Sequence, residues 1–284
     1  MPPGPHDDAF LGSRFSQLAN FQFIATGGQK SVYRARNQNN ESIALKIFNP
    51  GADAARFQRE IDAVRGIQND RVPRIYDFGV LSPADGGFLW LVEEWIDGES
   101  LRSKIEAHSV TDSLILQMGL DLLSVLADAE ALNIVHRDVK PENILVKNVD
   151  QTCALTDFGI SRHLDLSTLT QGPGGLYTCG YSPPEQFRNM TASIDARVDL
   201  FALGVTLYEC VEGVNPFRDG AASAPEILLR VENTRLPTIV RQIDASGEFS
   251  QLVEAMTRTR RTHRIGSASA AYVWMQEIAA AGPR

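Results

Sequence analysis

The sequence predicts an α+β fold, strand-rich at first and mainly helical afterwards. Three observations carry that reading. From Phe15 to Glu93, short alternating or apolar runs are bounded by turn residues, the pattern of strands. One amphipathic helical stripe, Asp53 to Ile67, interrupts them. Past Gly98 the apolar residues recur every three or four positions. At 284 residues the chain can bury one substantial core or two lobes sharing an interface.

Residues 1–13, rich in Pro, Gly and Asp, predict a loose tail. Strands follow around Phe21 and Phe23 and around Val32 and Tyr33, on either side of Thr26-Gly27-Gly28-Gln29-Lys30-Ser31. A glycine turn is usually a plain hairpin, but it can also lay backbone N–H groups over phosphates. Ile43-Ala44-Leu45-Lys46-Ile47 is an apolar strand broken by one lysine. Its apolar flanks favour an inward, paired lysine over a snorkelling one. In the helix of Asp53–Ile67, Phe57, Ile61 and Val64 form the buried stripe, with Glu60 beside it. Two further strands, Arg74–Val80 and Phe88–Glu93, flank the turn Pro83–Gly87. Asp112–Leu132 is apolar almost throughout and reads as a buried helix. Ile144–Val146 and Cys153–Leu155 predict a short strand pair, and Ser267–Ala280 a last helix.

Composition narrows the function classes. Hydrophobic content of 43% and charged content of 22% suit a soluble globular protein. Acidic residues outnumber basic ones, 35 to 27, for a net charge of -8. That argues against generic binding to nucleic acid or anionic membranes. The three cysteines are far apart and lack metal-ligand spacing, so free thiols in a reducing compartment, the cytoplasm, are expected. The first residues have neither the cationic start nor the apolar core of a signal peptide, and Leu200–Val211 is too short to span a bilayer.

The densest chemistry lies in His136-Arg137-Asp138-Val139-Lys140-Pro141-Glu142-Asn143. Phosphoryl transfer from a metal nucleotide needs these residue types. An Asp can orient and deprotonate a hydroxyl, a Lys can neutralise a moving phosphoryl group, and an Asn oxygen can bind a metal. Thr156-Asp157-Phe158-Gly159 adds a second metal-binding carboxylate. Each is weak alone: a buried His is more often structural, and an Asp-Phe-Gly sequence is more often a turn. Lys46, Glu60, the eight-residue loop and Asp157 in this order form a pattern that chance does not plausibly supply.

With those residues the chain resembles the bacterial branch of the eukaryotic-type Ser/Thr protein kinases, from about Phe15 to about Ala280. The resemblance implies a two-lobed kinase fold. A small lobe of antiparallel strands and one helix would span 14–94, a hinge 95–98, and a mainly helical lobe 99–282. It implies ATP and Mg²⁺, with Mn²⁺ as the alternative. Lys46 would grip the α- and β-phosphates, held by Glu60. Ala25, Gly27, Lys30, Val32 and Ala44 would surround the nucleotide, and the hinge backbone at Glu94 and Ile96 would read adenine. Asp138 would be the base, Lys140 would sit on the γ-phosphate, and Asn143 and Asp157 would hold metal. His136 is kept structural.

Two departures stand out. Aligning Val32 with the family valine puts Ala25, Gly27 and Lys30 at the three glycine positions, so the loop gains a cation able to reach a phosphate. Glu93 falls at a deep pocket position that the family usually fills with an apolar residue. A carboxylate there is costly unless paired or wet, and Lys46 is a candidate partner.

The Gly- and Thr-rich stretch from Ile160 to Pro184 is long enough for function. By resemblance it is the activation segment (160–182), with Ser167, Thr168 and Thr170 as acceptors for autophosphorylation and Arg137 as their charge partner. Thr178 would bond the base and the loop lysine. Glu185 would pair with Arg264, and Asp199 would bond the catalytic-loop backbone. Without the resemblance, Asp199 is simply a helix N-terminal carboxylate. The run Arg258, Arg260, Arg261, His263, Arg264 reads as a charged loop rather than a nucleic-acid surface. Protein substrates with Ser or Thr acceptors are expected, and a homodimer is a habit of the family. Many relatives carry a membrane span after this domain, so the chain is either a soluble kinase or a trimmed domain. Two rivals are a pseudokinase acting as a nucleotide-gated scaffold and a small-molecule kinase of related fold.

Overall fold

A computed structural model describes residues 4–27, 30–49, 53–158, 179–188 and 194–284. In the small lobe, β1 (Ala19–Thr26), β2 (Lys30–Arg36), β3 (Ser42–Phe48), β4 (Ile75–Val80) and β5 (Leu89–Glu94) form one antiparallel sheet. Its order is β1-β2-β3-β5-β4. Side chains alternate across such a sheet, so the register sorts them into two faces. Tyr33 pairs with Leu45, Ala35 with Ile43, and Leu45 with Val92, which gathers the apolar residues on one face. The opposite face carries Lys30, Val32, Ala44, Lys46, Leu91 and Glu93.

The apolar face is covered from the N-terminal side. Helix α1 (Asp8–Arg14) is capped by Asp7, whose carboxylate accepts from Phe10 N at 2.8 Å. Leu11 and Phe15 are buried against the sheet, and the Phe15 ring meets Trp90 edge-on at 5.4 Å. His6 N donates to the Tyr33 hydroxyl at 3.1 Å. From residue 4 onward, this corrects the loose tail expected over residues 1–13. The Pro, Gly and Asp content hid one turn-spaced apolar pair, and burying Leu11 is worth about 2 kcal/mol.

On the other face, α2 (Ala54–Val64) begins at Asp53, whose side chain accepts from Ala55 N and Arg56 N. Its stripe of Phe57 and Ile61 packs on Phe48, Leu89 and Leu91. The lobes join through β6 (Gly98–Ser100), which pairs with β7 (Ile144–Lys147), itself paired with β8 (Cys153–Leu155). Gly98 allows this close approach, because a Cβ there would collide with the Val146 carbonyl.

The large lobe is organised around α4 (Asp112–Ala131), which follows α3 (Leu101–Glu106) and packs against the helix Ala268–Ala281. Gly119 sets that spacing, since a Cβ would come within 2.8 Å of Met275 Sδ. The helix Arg197–Glu212 is buried from Val198 to Val211, as its all-round apolar pattern requires. Cys153, Cys179 and Cys210 are buried and none of them forms a disulfide. Among the described residues no helix is long and apolar enough to cross a membrane.

Candidate active site

The loop of residues 136–143 is held from below by one carboxylate. Asp199, in the first turn of the helix Arg197–Glu212, accepts from His136 N and from Arg137 N, both at 2.7 Å. Both bonds are charge-assisted. They hold Arg137 in the left-handed region, at φ 68°. Such a conformation costs a non-glycine residue about 1–3 kcal/mol and persists only where its surroundings impose it. His136 is fully buried. Its Nδ1 accepts from Asp138 N at 3.2 Å, so its Nε2 carries the proton and donates to the Thr156 carbonyl at 2.9 Å. Burial lowers its pKa to about 4, against the smaller opposing pull of Asp138. The imidazole is therefore a neutral strut.

Asp138 is the focus of the loop. Its Oδ2 lies 2.8 Å from Lys140 Nζ and accepts from Asn143 Nδ2 at 2.9 Å. The same amide also donates to the Asp138 carbonyl at 2.8 Å, which fixes the Asn143 rotamer. The Asn143 carbonyl accepts from Thr156 N and Thr156 Oγ1, at 2.9 and 3.1 Å. That bond pair brings Asp157 beside the loop.

From the small lobe the sheet delivers a row of charges. Lys30 pairs with Phe48 and Val32 with Lys46, so the two lysines sit on one face at diagonal positions of β2 and β3. Lys46 pairs with Leu91 and Ala44 with Glu93, so Glu93 continues the diagonal on β5. Long side chains reach across such diagonals. Lys46 Nζ accordingly lies 2.5 Å from Glu93 Oε1, both side chains under a tenth exposed. Asp157 comes up from the large lobe between the lysines. It accepts from Lys46 Nζ at 2.7 Å and forms an ion pair with Lys30. Asp157 is the second left-handed residue of the site, at φ 63°. Burial alone would raise its carboxyl pKa, but Lys30 and Lys46 together hold it far below the ordinary range. Burial likewise raises the Glu93 pKa, partly offset by Lys46. For Lys46 burial pulls down, yet Asp157 and Glu93 outweigh it and the ammonium stays charged.

One expected contact is corrected. Glu60 does not hold Lys46: it pairs with Arg56 one turn earlier at 3.1 Å, while Glu93 and Asp157 occupy the lysine. The reason is geometric. Glu93 shares the face of Lys46 two residues from its cross-strand partner, whereas Glu60 must be brought in by a separate helix.

The remaining expected residues fall as follows. Ala25 pairs with Val32 at the start of the loop, and Gly27 N donates to the Lys30 carbonyl at 2.9 Å, closing the turn. Ala44 is buried on the charged face. Glu94 ends β5 opposite Ile43, and Ile96 is buried just beyond. Glu185 and Arg264 form a buried two-pronged pair at 2.5 and 3.0 Å. Of the arginine run around it, Arg258 pairs with Glu254 and Arg261 with Asp195. Ser167, Thr168, Thr170 and Thr178 lie outside the described residues.

Two structural contacts have no signal in the sequence. Gln186 Nε2 donates to the Arg137 carbonyl at 2.8 Å, tying the short helix Pro184–Phe187 to the loop. Arg102 bridges Glu142 at 2.9 Å, Glu209 at 2.8 Å and the Tyr181 hydroxyl at 2.6 Å. No local spacing announces either, because the partners are distant along the chain.

Asp157 and Asn143 offer hard oxygen donors, the chemistry of a divalent cation such as Mg²⁺. Among the described residues no cluster of three or more His, Cys, Asp or Glu could cage a metal without help. The donor set fits an ion held by one or two protein oxygens and completed by phosphates.

The family model described as protein kinase domain matches residues 18–275. The serine/threonine-protein kinase PknL of Mycobacterium tuberculosis is 32% identical over 283 residues, covering 97% of this chain and 68% of that protein. A probable serine/threonine-protein kinase of Clostridium perfringens is 33% identical over 214 residues, 73% of this chain and 30% of that protein. The probable serine/threonine-protein kinase PknB of Bifidobacterium longum is 34% identical over 230 residues, 76% of this chain and 32% of that protein. The chain thus spans about a third of the length of the last two.

Proposed function

We propose, from the premise that this chain belongs to the protein kinase family, that it transfers the γ-phosphoryl group of ATP to Ser or Thr hydroxyls of proteins. The observation that carries the proposal is the meeting of Asp138, Lys140 and Asn143 within one clamped loop, opposite Lys46 and Asp157. Protein kinases use ATP and a divalent metal; Mg²⁺ is the proposed ion, with Mn²⁺ as a substitute. Asn143 and Asp157 would hold it, and when bound it supplies charge neutralisation between phosphate oxygens.

In this reading Asp138 orients the acceptor hydroxyl and takes its proton. Lys140, already 2.8 Å from Asp138, balances the negative charge of the transferring group. Lys46 binds the α- and β-phosphates, and the backbone of Glu94 and Ile96 meets adenine. Ala25, Gly27, Val32 and Ala44 enclose the nucleotide. Asp199 contributes by fixing the loop, so catalysis is positioning plus electrostatics. Ser167, Thr168 and Thr170 are proposed sites of autophosphorylation, with Arg137 to receive the phosphate. Lys140 and Thr178 support Ser/Thr rather than Tyr acceptors. A homodimer through the small lobe, readable by sedimentation velocity, and a cytoplasmic location complete the proposal.

The test is label transfer from γ-labelled ATP to the protein itself and to a basic protein acceptor. Asp138→Asn should lose most transfer while binding nucleotide nearly as the wild type does. Undiminished transfer in that variant overturns the assignment. The pseudokinase alternative predicts no transfer in either protein.

A further inference from the structure

We propose that Lys30 is a reversible latch, which pins the start of β2 onto Asp157 and competes there with the divalent metal. The inference rests on Asp157 being a metal-holding side chain, as proposed above.

The register brings Lys30 and Lys46 to neighbouring diagonal positions on one sheet face. Two ammonium groups so placed repel one another unless an anion lies between them, and Asp157 fills that role. With Glu93 the cluster holds two cations and two carboxylates, largely shielded from water. A divalent cation added at Asp157 upsets that balance where charge interactions are strong. One ammonium must then leave, and the two lysines are not equivalent. Lys46 keeps a second carboxylate, Glu93 at 2.5 Å, whereas Lys30's ion pair among the described residues is with Asp157. Lys30 also lies near the sheet edge. It opens β2 at a turn closed by the Gly27 N to Lys30 carbonyl bond, beside the edge strand β1, whose register is already irregular near Ala25. Lifting the first residue of β2 breaks this pair while Lys46 on β3 and Glu93 on β5 stay together. A glycine in place of Lys30 would leave the loop with no such tie.

The experiment measures binding of methylanthraniloyl-ADP against free Mg²⁺ for the wild type, Lys30→Gln and Lys30→Arg. Hydrogen exchange of residues 20–33 without nucleotide is followed in parallel. Lys30→Gln should reach half-maximal binding at about tenfold lower Mg²⁺, because the metal no longer displaces an ion pair. Its hairpin amides should exchange faster, and Lys30→Arg should resemble the wild type in both. An unchanged Mg²⁺ midpoint with unchanged protection overturns the latch. A midpoint that rises instead also overturns it, making Lys30 a phosphate ligand alone. If the wild type binds no nucleotide at any Mg²⁺ level, the reading of the site fails, and the latch with it.

Discussion

Removing Arg264 should destabilise the large lobe more than removing any of the exposed arginines on its surface. A guanidinium has five N–H groups, and this one uses all five. Two go to Glu185, at 2.5 and 3.0 Å. The others go to the carbonyls of Arg258, Arg197 and Thr259, at 2.6, 3.1 and 2.9 Å. The cation also lies 4.9 Å from the Phe201 ring. The Arg264 side chain is 0% exposed and that of Glu185 8%, so Arg264→Ala strands a carboxylate out of reach of water. Breaking such a buried pair costs about 3–5 kcal/mol. For a domain of this size that corresponds to a Tm lower by about 8 °C. Arg264→Lys keeps the charge but has only three donors in another geometry, and should lose about 2–3 kcal/mol. Urea unfolding followed by circular dichroism would measure both. A double-mutant cycle with Glu185→Ala should show coupling of about 3 kcal/mol. A coupling under about 1 kcal/mol, or a lysine variant as stable as the wild type, would show that the pair does not hold the lobe in this way. The functional stake is local: Glu185 neighbours Gln186, which bonds the Arg137 carbonyl, so loosening the pair should also lower phosphoryl transfer.

Three further outcomes are expected. Leu11→Ala should cost about 2–4 kcal/mol in the same urea assay, since Leu11 is fully buried; a loss below about 0.5 kcal/mol would return the N-terminal segment to a loose tail. Because His136 is neutral in the fold down to about pH 4 while the unfolded chain protonates near 6.5, the unfolded state gains protons first as pH falls. Stability should therefore drop between pH 6.5 and 4 by about 3 kcal/mol from this group, a slope that His136→Asn should remove. Glu93→Met should lower stability by about 3 kcal/mol in the same urea assay, because it leaves Lys30 and Lys46 sharing the single carboxylate of Asp157. The same variant should bind nucleotide more tightly in a fluorescence titration, since a carboxylate no longer competes with phosphates for Lys46; weaker binding would argue that Glu93 positions the lysine.

Local pattern is enough for most elements. Alternation locates β2, short apolar runs locate β3 and β5, the stripe of Phe57, Ile61 and Val64 locates α2, and the all-round apolar run locates the helix Arg197–Glu212. These are short-range properties, set by side-chain period and by which face can leave water. The loop around Asp138 is legible for a similar reason, since its chemistry is contained in eight consecutive residues. The N-terminal helix is not legible, because it has just one turn-spaced apolar pair, and what holds it is the sheet face it covers.

The pairing of charges, by contrast, is settled by the folded chain and not by its order. Sequence order supplied Lys30, Lys46, Glu60, Glu93 and Asp157 but not who holds whom. Among the carboxylates competing for Lys46, Glu93 had the sheet register in its favour, Asp157 came from the other lobe, and Glu60 turned to Arg56. Ion pairs depend on distances of a few ångströms between segments far apart in the chain. Those distances are set when strand register, helix packing and lobe contact are combined.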